Sequence, residues 1–432
     1  MLRIGIRRED RSRWEARVPL VPEDVRRLIS GSGLEFCVQS SPIRAFPDEQ
    51  YRSVGATVAD GLAGCPVVMG VKEIPPDLLE PGKTYVYFSH TVKGQPANMP
   101  ALRRLMELRC QLIDYERIID AQGRRLVFFG RYAGLAGMID TLWALGQRLR
   151  HEGVDNAFAR LQPAHCYDDL AHAKREIAAL GETIRRDGLP EAIRPLVCGL
   201  AGYGQVSRGA QEIYDFLHPE NITPDELPAV PPSANACYKV VFKEEHLVER
   251  VDASKPFELQ EYYDYPERYR AAFFPHVRHL TLLVNCIYWE PKYPRLVTCE
   301  QLRGLFAPGA RPRLRVIGDL TADVDGSVEC MVRATDPGDP VYVYEPGTGE
   351  ARSGVAGDGP VVLAIDFLPC ELPVDSSNHF SQSLSPWIPA IAAADFDADL
   401  AASGLPPELQ QATILYHGQL TEPYRYMGEF VE

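Results

Sequence analysis

The apolar positions of the first 130 residues fall into short runs separated by amphipathic stretches, and this alternation predicts a parallel α/β unit. Strands are expected at Leu2–Ile6, Phe36–Gln39, Pro66–Val71, Thr84–Phe88 and Gln111–Tyr115. Helices are expected from Pro22 to Ile29, stopped by Gly31-Ser32-Gly33, and from Ala101 to Leu108. Small residues at Ala133, Gly134, Ala136 and Gly137 mark Tyr132–Leu149 as a connecting helix that lets another backbone approach closely. A helix at Asp168–Leu180 precedes a Gly188-Leu189-Pro190 break. A second α/β unit then follows, with strands at Pro195–Leu200, Tyr238–Phe242, Leu280–Asn285, Arg315–Asp319 and Val361–Ile365. The tail from Ser376 to Glu432 reads as a helix at Pro386–Ala393 and a polar end. No internal repeat is visible, which sets aside solenoids and propellers.

At 432 residues the chain is long enough for two or three domains, given about 150 residues each. Hydrophobic residues make up 45% and charged residues 24%, an ordinary globular balance that leaves no large disordered tract. Lys+Arg 45 against Asp+Glu 59 gives a net charge of −14, so the long-range field repels nucleic acid and anionic membranes. No apolar run approaches the roughly 18 residues of a membrane span, and the amino terminus lacks the apolar core of a signal peptide. Ten cysteines without a C-x-x-C pair fit a reduced cytoplasm. His276 and His279 form one H-x-x-H without a carboxylate or cysteine partner, a weak zinc pattern, so no metal is expected.

The most specific chemical signal is the run Leu196–Ala201 into Gly202-Tyr203-Gly204-Gln205-Val206 and then a helix. A strand, a glycine turn and a helix N-terminus together hold a dinucleotide pyrophosphate, because free backbone N–H groups and the helix dipole favour an anion there. The third glycine of the usual pattern is replaced by Ser207, with Gly209 two residues on. The acid that normally holds the ribose is not at its usual spacing. Thr223 at that position leaves room for the 2′-phosphate of NADP, whereas Asp225 in the same role fits NAD. In the first unit Lys72 and Glu73, His90, and Glu116 each follow a strand and converge on one sheet edge, where open α/β sheets bind ligands. Singly, a lysine after a strand is a solvated end and a lone histidine is structural.

The motifs Glu15-Ala16-Arg17-Val18-Pro19-Leu20, Gly70-Val71-Lys72-Glu73, Phe88-Ser89-His90-Thr91, Asp114-Tyr115-Glu116, Phe129–Met138 and Ile365-Asp366-Phe367-Leu368-Pro369 resemble the saccharopine dehydrogenase family, in family order and across the whole chain. Asn285–Glu290 and Asp319–Asp323 resemble in particular its lysine-ketoglutarate reductase branch. Alanine dehydrogenase is a more distant likeness, its arginine, lysine and histidine matching Arg17, Lys72 and His90.

The resemblance implies two Rossmann-like domains with a cleft between them. A cofactor domain (132–375) is inserted into a split substrate domain (1–131 and 376–432), the two joined by the helices near Tyr132–Leu149 and Ser376–Ala393. It implies NAD(P)H-dependent joining of lysine and 2-oxoglutarate to saccharopine, with a separate protein processing the product. Lys72 and His90 are then the acid/base pair, tuned by Glu73 and Glu116. Arg17 and Arg131 are carboxylate clamps and Asp366 lies at the site's rim. Gly202, Tyr203, Gly204, Gln205, Val206, Thr223 and Asp319 are the cofactor residues. The branch's habit favours NADP(H), with NAD(H) open. An opine-type coupling of another amine or keto acid, or a noncatalytic nucleotide-binding relative, are the rival readings. The helix 168–180 has two readings, a dimer contact in a homo-oligomer or a wall of the amine pocket.

Overall fold

The computed structural model describes residues 3–431, so Leu2 of the first expected strand and Glu432 of the tail lie outside the described residues. It divides into two compact units, the first formed by 1–129 with 373–432 and the second by 130–372.

In the first unit six parallel strands come in chain order: β1 (Arg3–Ile6), β2 (Glu35–Gln39), β3 (Thr57–Ala59), β4 (Val67–Met69), β5 (Thr84–Tyr87) and β6 (Gln111–Asp114). The sheet order is β18-β17-β6-β5-β4-β1-β2-β3, in which β17 (Thr413–Tyr416) and β18 (Gln419–Leu420) come from the tail. Central strands are buried on both faces, as the Val/Ile-rich runs require once helices cover a parallel sheet. The covering helices include α1 (Pro22–Ser32), α2 (Asp48–Ser53) and α3 (Met99–Glu107). The return segment enters through a helix at Pro373–Leu384, whose Ser377 and Ser381 hydroxyls accept the N–H groups of Val18 and Val21, each at 3.0 Å. The tail is therefore less of a polar end than its composition predicts, since β17 closes the sheet antiparallel to β6. Thr-Ile-Leu-Tyr is too short and too uniformly buried to show a strand period.

The second unit carries a parallel core of β7 (Leu196–Ala201), β8 (Glu220–Ile222), β9 (Cys237–Phe242), β12 (Leu282–Asn285), β13 (Val316–Asp319) and β16 (Val361–Leu363). A small ribbon of β10 (Val248–Arg250) and β11 (Tyr269–Ala271) stands apart, and β14 (Val341–Glu345) and β15 (Glu350–Ser353) extend the sheet antiparallel at one edge. The order is β15-β14-β16-β13-β12-β7-β9-β8. Thus β7 has β9 and β12 as its neighbours, and β8 is outermost.

The stretch expected as a connector is α4 (Gly130–His151), and it is the central helix of the second unit rather than a link. Most of its residues are buried around the full circumference, so it shows little amphipathic period. It crosses α6 (Gln205–Tyr214), the helix after the glycine turn, backbone against backbone. A Cβ at Gly134 would lie 1.9 Å from the Val206 carbonyl oxygen, and one at Gly209 would lie 2.1 Å from that of Arg131. The displaced glycine at 209 therefore serves this helix crossing. A further helix, α5 (Leu170–Asp187), capped by Asp169, buries Ile177, Leu180 and Ile184 in the same core.

Because both clashes are with backbone, neither can be relieved by a rotamer change. Gly134→Ala is expected to destabilise the protein by more than about 2 kcal/mol, read as a lowered denaturation midpoint. An unchanged midpoint would show that the two helices are free to separate.

Candidate functional site

In the first unit the carboxyl ends of β4, β5 and β6 each carry a loop whose backbone N–H groups have run out of strand partners. Two buried carboxylates satisfy them, one serving the loop after β4 and the other those after β5 and β6. Glu9 accepts the N–H groups of Val71 at 2.7 Å and Lys72 at 3.0 Å. Asp114 accepts the Ser89 N–H at 3.0 Å and the Ser89 hydroxyl, and the Glu116 N–H at 2.8 Å. Such bonds remove the penalty of burying a lone donor and fix where the next side chain starts.

From these loops Lys72, Glu73 and His90 converge. Glu73 Oε1 lies 2.6 Å from His90 Nδ1, and its other oxygen accepts Arg11. A carboxylate at Nδ1 makes that nitrogen the N–H donor and leaves Nε2 as the proton-exchanging atom. His90 has a φ of +48°, which turns its ring against Phe88 with centroids 6.1 Å apart. Burial alone raises the Glu73 pKa, but His90, Arg11 and Lys72 overcome it and hold the carboxyl well below its ordinary range. The Lys72 amine is pushed below its usual value, first by burial and second by Arg17, while Glu73 and Glu15 oppose the shift. The cations that act on Lys72 are thus Arg17 and, less strongly, Arg11.

Arg17 is buried. Glu15 accepts from its Nε at 2.7 Å and its Nη2 at 2.5 Å, and the guanidinium lies 4.4 Å from the centroid of Phe129. Glu116 is directed elsewhere: its carboxylate takes Arg125, so it is not brought to the Lys72–His90 group. Glu9 is the residue that sequence reasoning missed, since an acid 62 positions before Val71 carries no local signal.

The second unit holds the remaining candidates. Gly202 has a φ of +96°, and its Cβ position is 3.1 Å from Ile287 Cγ2, so the turn demands glycine twice over. Gly204 caps α6 with no side chain over the first-turn N–H groups, and a Cβ there would meet nothing within 4 Å. Gln205 and Val206 open the helix. Asp319 ends β13 fully buried, accepting Asn285 Nδ2 at 2.9 Å and the Thr321 hydroxyl at 2.7 Å. Burial raises its pKa to about 6, and its Oδ2 has no partner among the described residues. An uncapped helix start after β7 and an orphaned buried oxygen at the end of β13, with β12 between the two strands, fit a dinucleotide.

Two expected ligands are placed differently. Arg131 is held on α4 by Glu212, with contacts of 2.6 to 3.0 Å, and Lys174 joins the same carboxylate at 2.6 Å; this pairing, not a substrate carboxylate, is what its guanidinium meets here. Thr223 follows the outermost strand β8, one strand farther from the glycine turn than its spacing predicts, and its N–H and hydroxyl are both given to Glu226. Asp366, just beyond β16, is exposed.

The two units, each built on a mainly parallel sheet, share their fold with a dehydrogenase of known structure. The family "Alanine dehydrogenase/PNT, N-terminal domain" matches residues 5–136. A solved L-alanine dehydrogenase shares the fold with a TM-score of 0.63 at 16% identity, over 100% of both chains. Alpha-aminoadipic semialdehyde synthase of Arabidopsis thaliana is 36% identical over 98% of this chain and 41% of its own length. A Candida glabrata saccharopine dehydrogenase (NAD+, L-lysine-forming) is 27% identical over 86% of this chain and 87% of its own. The chain is a homologue of the saccharopine dehydrogenases and of the alpha-aminoadipic semialdehyde synthases. It spans less than half the length of the synthases it matches. Among the described residues no helix is long and apolar enough to cross a membrane.

The Glu9 carboxyl gives a measurable pH signature. Burial lifts its pKa from 4.5 to about 7, against Arg7 and the two N–H donors. The folded state therefore binds a proton that the unfolded state has lost between those values, and stability falls as pH rises through that window. The full effect is roughly 3 kcal/mol. Glu9→Gln is expected to flatten this slope in denaturant titrations at pH 4.5 and 7.5; a slope equal to wild type would show that Glu9 is ionised throughout.

Proposed function

We propose that the protein catalyses the reversible, NAD(P)H-dependent reductive condensation of L-lysine with 2-oxoglutarate to give saccharopine. The observation that carries this reading is the half-buried Lys72 amine, lowered in pKa beside Arg17, with the Glu73–His90 pair on the neighbouring strand end. Support comes from the named activities of its homologues.

The side-chain amine of lysine adds to the keto carbon, water leaves, and the resulting imine is reduced to a secondary amine. Addition needs the amine neutral and the carbonyl oxygen protonated as it departs, so one group must take a proton and another give one. Lys72, with its pKa moved toward neutrality, suits exchange at the carbonyl oxygen. His90, oriented by Glu73, exchanges through Nε2 with the attacking amine. Arg17 offers a planar fork to a keto-acid carboxylate, with Glu15 fixing its plane. Asp366 is assigned to the rim of the site. Bound on the Gly202–Val206 turn, the nicotinamide cofactor supplies the hydride.

A mixture of protein, reduced nicotinamide cofactor, lysine and 2-oxoglutarate is expected to lose the reduced-nicotinamide absorbance and accumulate saccharopine. Turnover only with another amine or keto acid would favour the opine-type reading, and cofactor binding without turnover the noncatalytic one. Lys72→Met and His90→Gln are each expected to lower kcat by about 10²–10⁴-fold while leaving cofactor affinity nearly unchanged. Wild-type turnover in both variants would remove the pair from the mechanism.

A further inference from the structure

The sheet order of the second unit moves the ribose site to residues that chain spacing does not single out. In dinucleotide folds the adenosine ribose is held at the carboxyl end of the strand beside the one that feeds the glycine turn, on the side away from the nicotinamide. Here that neighbour is β9, paired with β7 in parallel from Leu196↔Cys237 to Ala201↔Phe242. The chain leaves β9 at Lys243 and enters a short helix, α7 (Glu244–Leu247). A second short helix, α8 (Leu259–Asp264), belongs to the segment that follows.

Three side chains meet there. Glu244 Oε1 accepts the hydroxyl of Tyr263, from α8, at 2.9 Å, and that of Tyr203, from the glycine turn itself, at 3.4 Å. Both phenols are pushed up in pKa, by burial first and then by the Glu244 charge, so both stay donors at neutral pH. No further hydrogen bond to the Glu244 carboxylate occurs among the described residues, which leaves Oε2 as an acceptor beside the turn. The two rings are 42% and 39% exposed, so an aromatic surface next to an anion-binding turn stands uncovered. The Lys243 backbone N–H donates to His246 Nδ1 at 3.0 Å, and this capping contact fixes where Glu244 starts.

We propose that Glu244 accepts the hydroxyls of the cofactor's adenosine ribose, that Tyr203 and Tyr263 are the positioning residues holding it, and that the arrangement favours NADH over NADPH. The inference rests on the nucleotide-binding reading above. A ribose diol donates two hydrogen bonds to a carboxylate, whereas a 2′-phosphate brings like charge against it. The Lys243 side chain, next to Glu244 along the chain, is a cation that would act the other way.

The test is equilibrium binding of NADH, NADPH, ADP-ribose and 2′-phospho-ADP-ribose to the full chain, followed by fluorescence and calorimetry. Wild type is expected to bind NADH and ADP-ribose about tenfold or more tightly than their 2′-phosphorylated counterparts. Glu244→Gln is expected to shift that ratio about tenfold toward the phosphorylated ligands. Tyr263→Phe, which keeps the ring, is expected to weaken ADP-ribose binding about threefold, with an unchanged thermal midpoint. Equal or tighter binding of NADPH by wild type, or an unchanged ratio in Glu244→Gln, overturns the ribose assignment alone. Wild type that binds none of the four ligands defeats the nucleotide reading itself.

Discussion

At the carboxyl end of a parallel strand the backbone stops pairing while still buried, and in this protein carboxylates take up the donors released there. Glu9 serves the loop after β4, and Asp114 the loops after β5 and β6. In the second unit Asp319 accepts the N–H groups of Thr321 and Ala322 after its own strand. An unpaired buried N–H costs about 1–3 kcal/mol, so each acid fixes its loop with an energy comparable to a sizeable part of a domain's net stability. Lys72 and Glu73 are mounted on the loop after β4 and His90 on the loop after β5.

The same acids explain the electrostatics. Glu9, Asp114 and Asp319 are pushed upward in pKa, in each case first by burial. Glu73 and Glu15 each face an arginine: Glu73 bonds Arg11 on one oxygen and His90 on the other, and Glu15 bonds Arg17. The Lys72 amine is left with burial and Arg17 against it. In a chain carrying a net charge of −14, Lys72, Arg17 and Arg11 thus stand together as a local group of basic side chains.

Glycine usage separates two roles that look alike in a one-dimensional pattern. Gly202 is required by a left-handed turn, whereas Gly134 and Gly209 are required by a helix crossing that brings distant backbones within contact. The serine at 207 is fully buried, and the close approach usually supplied by a third glycine is met two residues later. Divergence from a motif here is a shift in where α4 and α6 touch.

The alternation of apolar runs was enough to read two α/β units, nearly every parallel strand to within a residue or two, and the glycine turn, because each depends on neighbours close along the chain. Lys72, Glu73 and His90 were legible for the same reason, each following a strand whose end can be read locally. Glu116 and Arg131 were legible as charged residues but not as partners of Arg125 and Glu212, since pairing is decided by geometry between separate elements. The role of Glu9, the antiparallel closure by β17 and the placement of β9 rather than β8 beside β7 were decided by tertiary structure alone. Strand order is a contest between whole surfaces for burial, and local sequence does not record which neighbour wins.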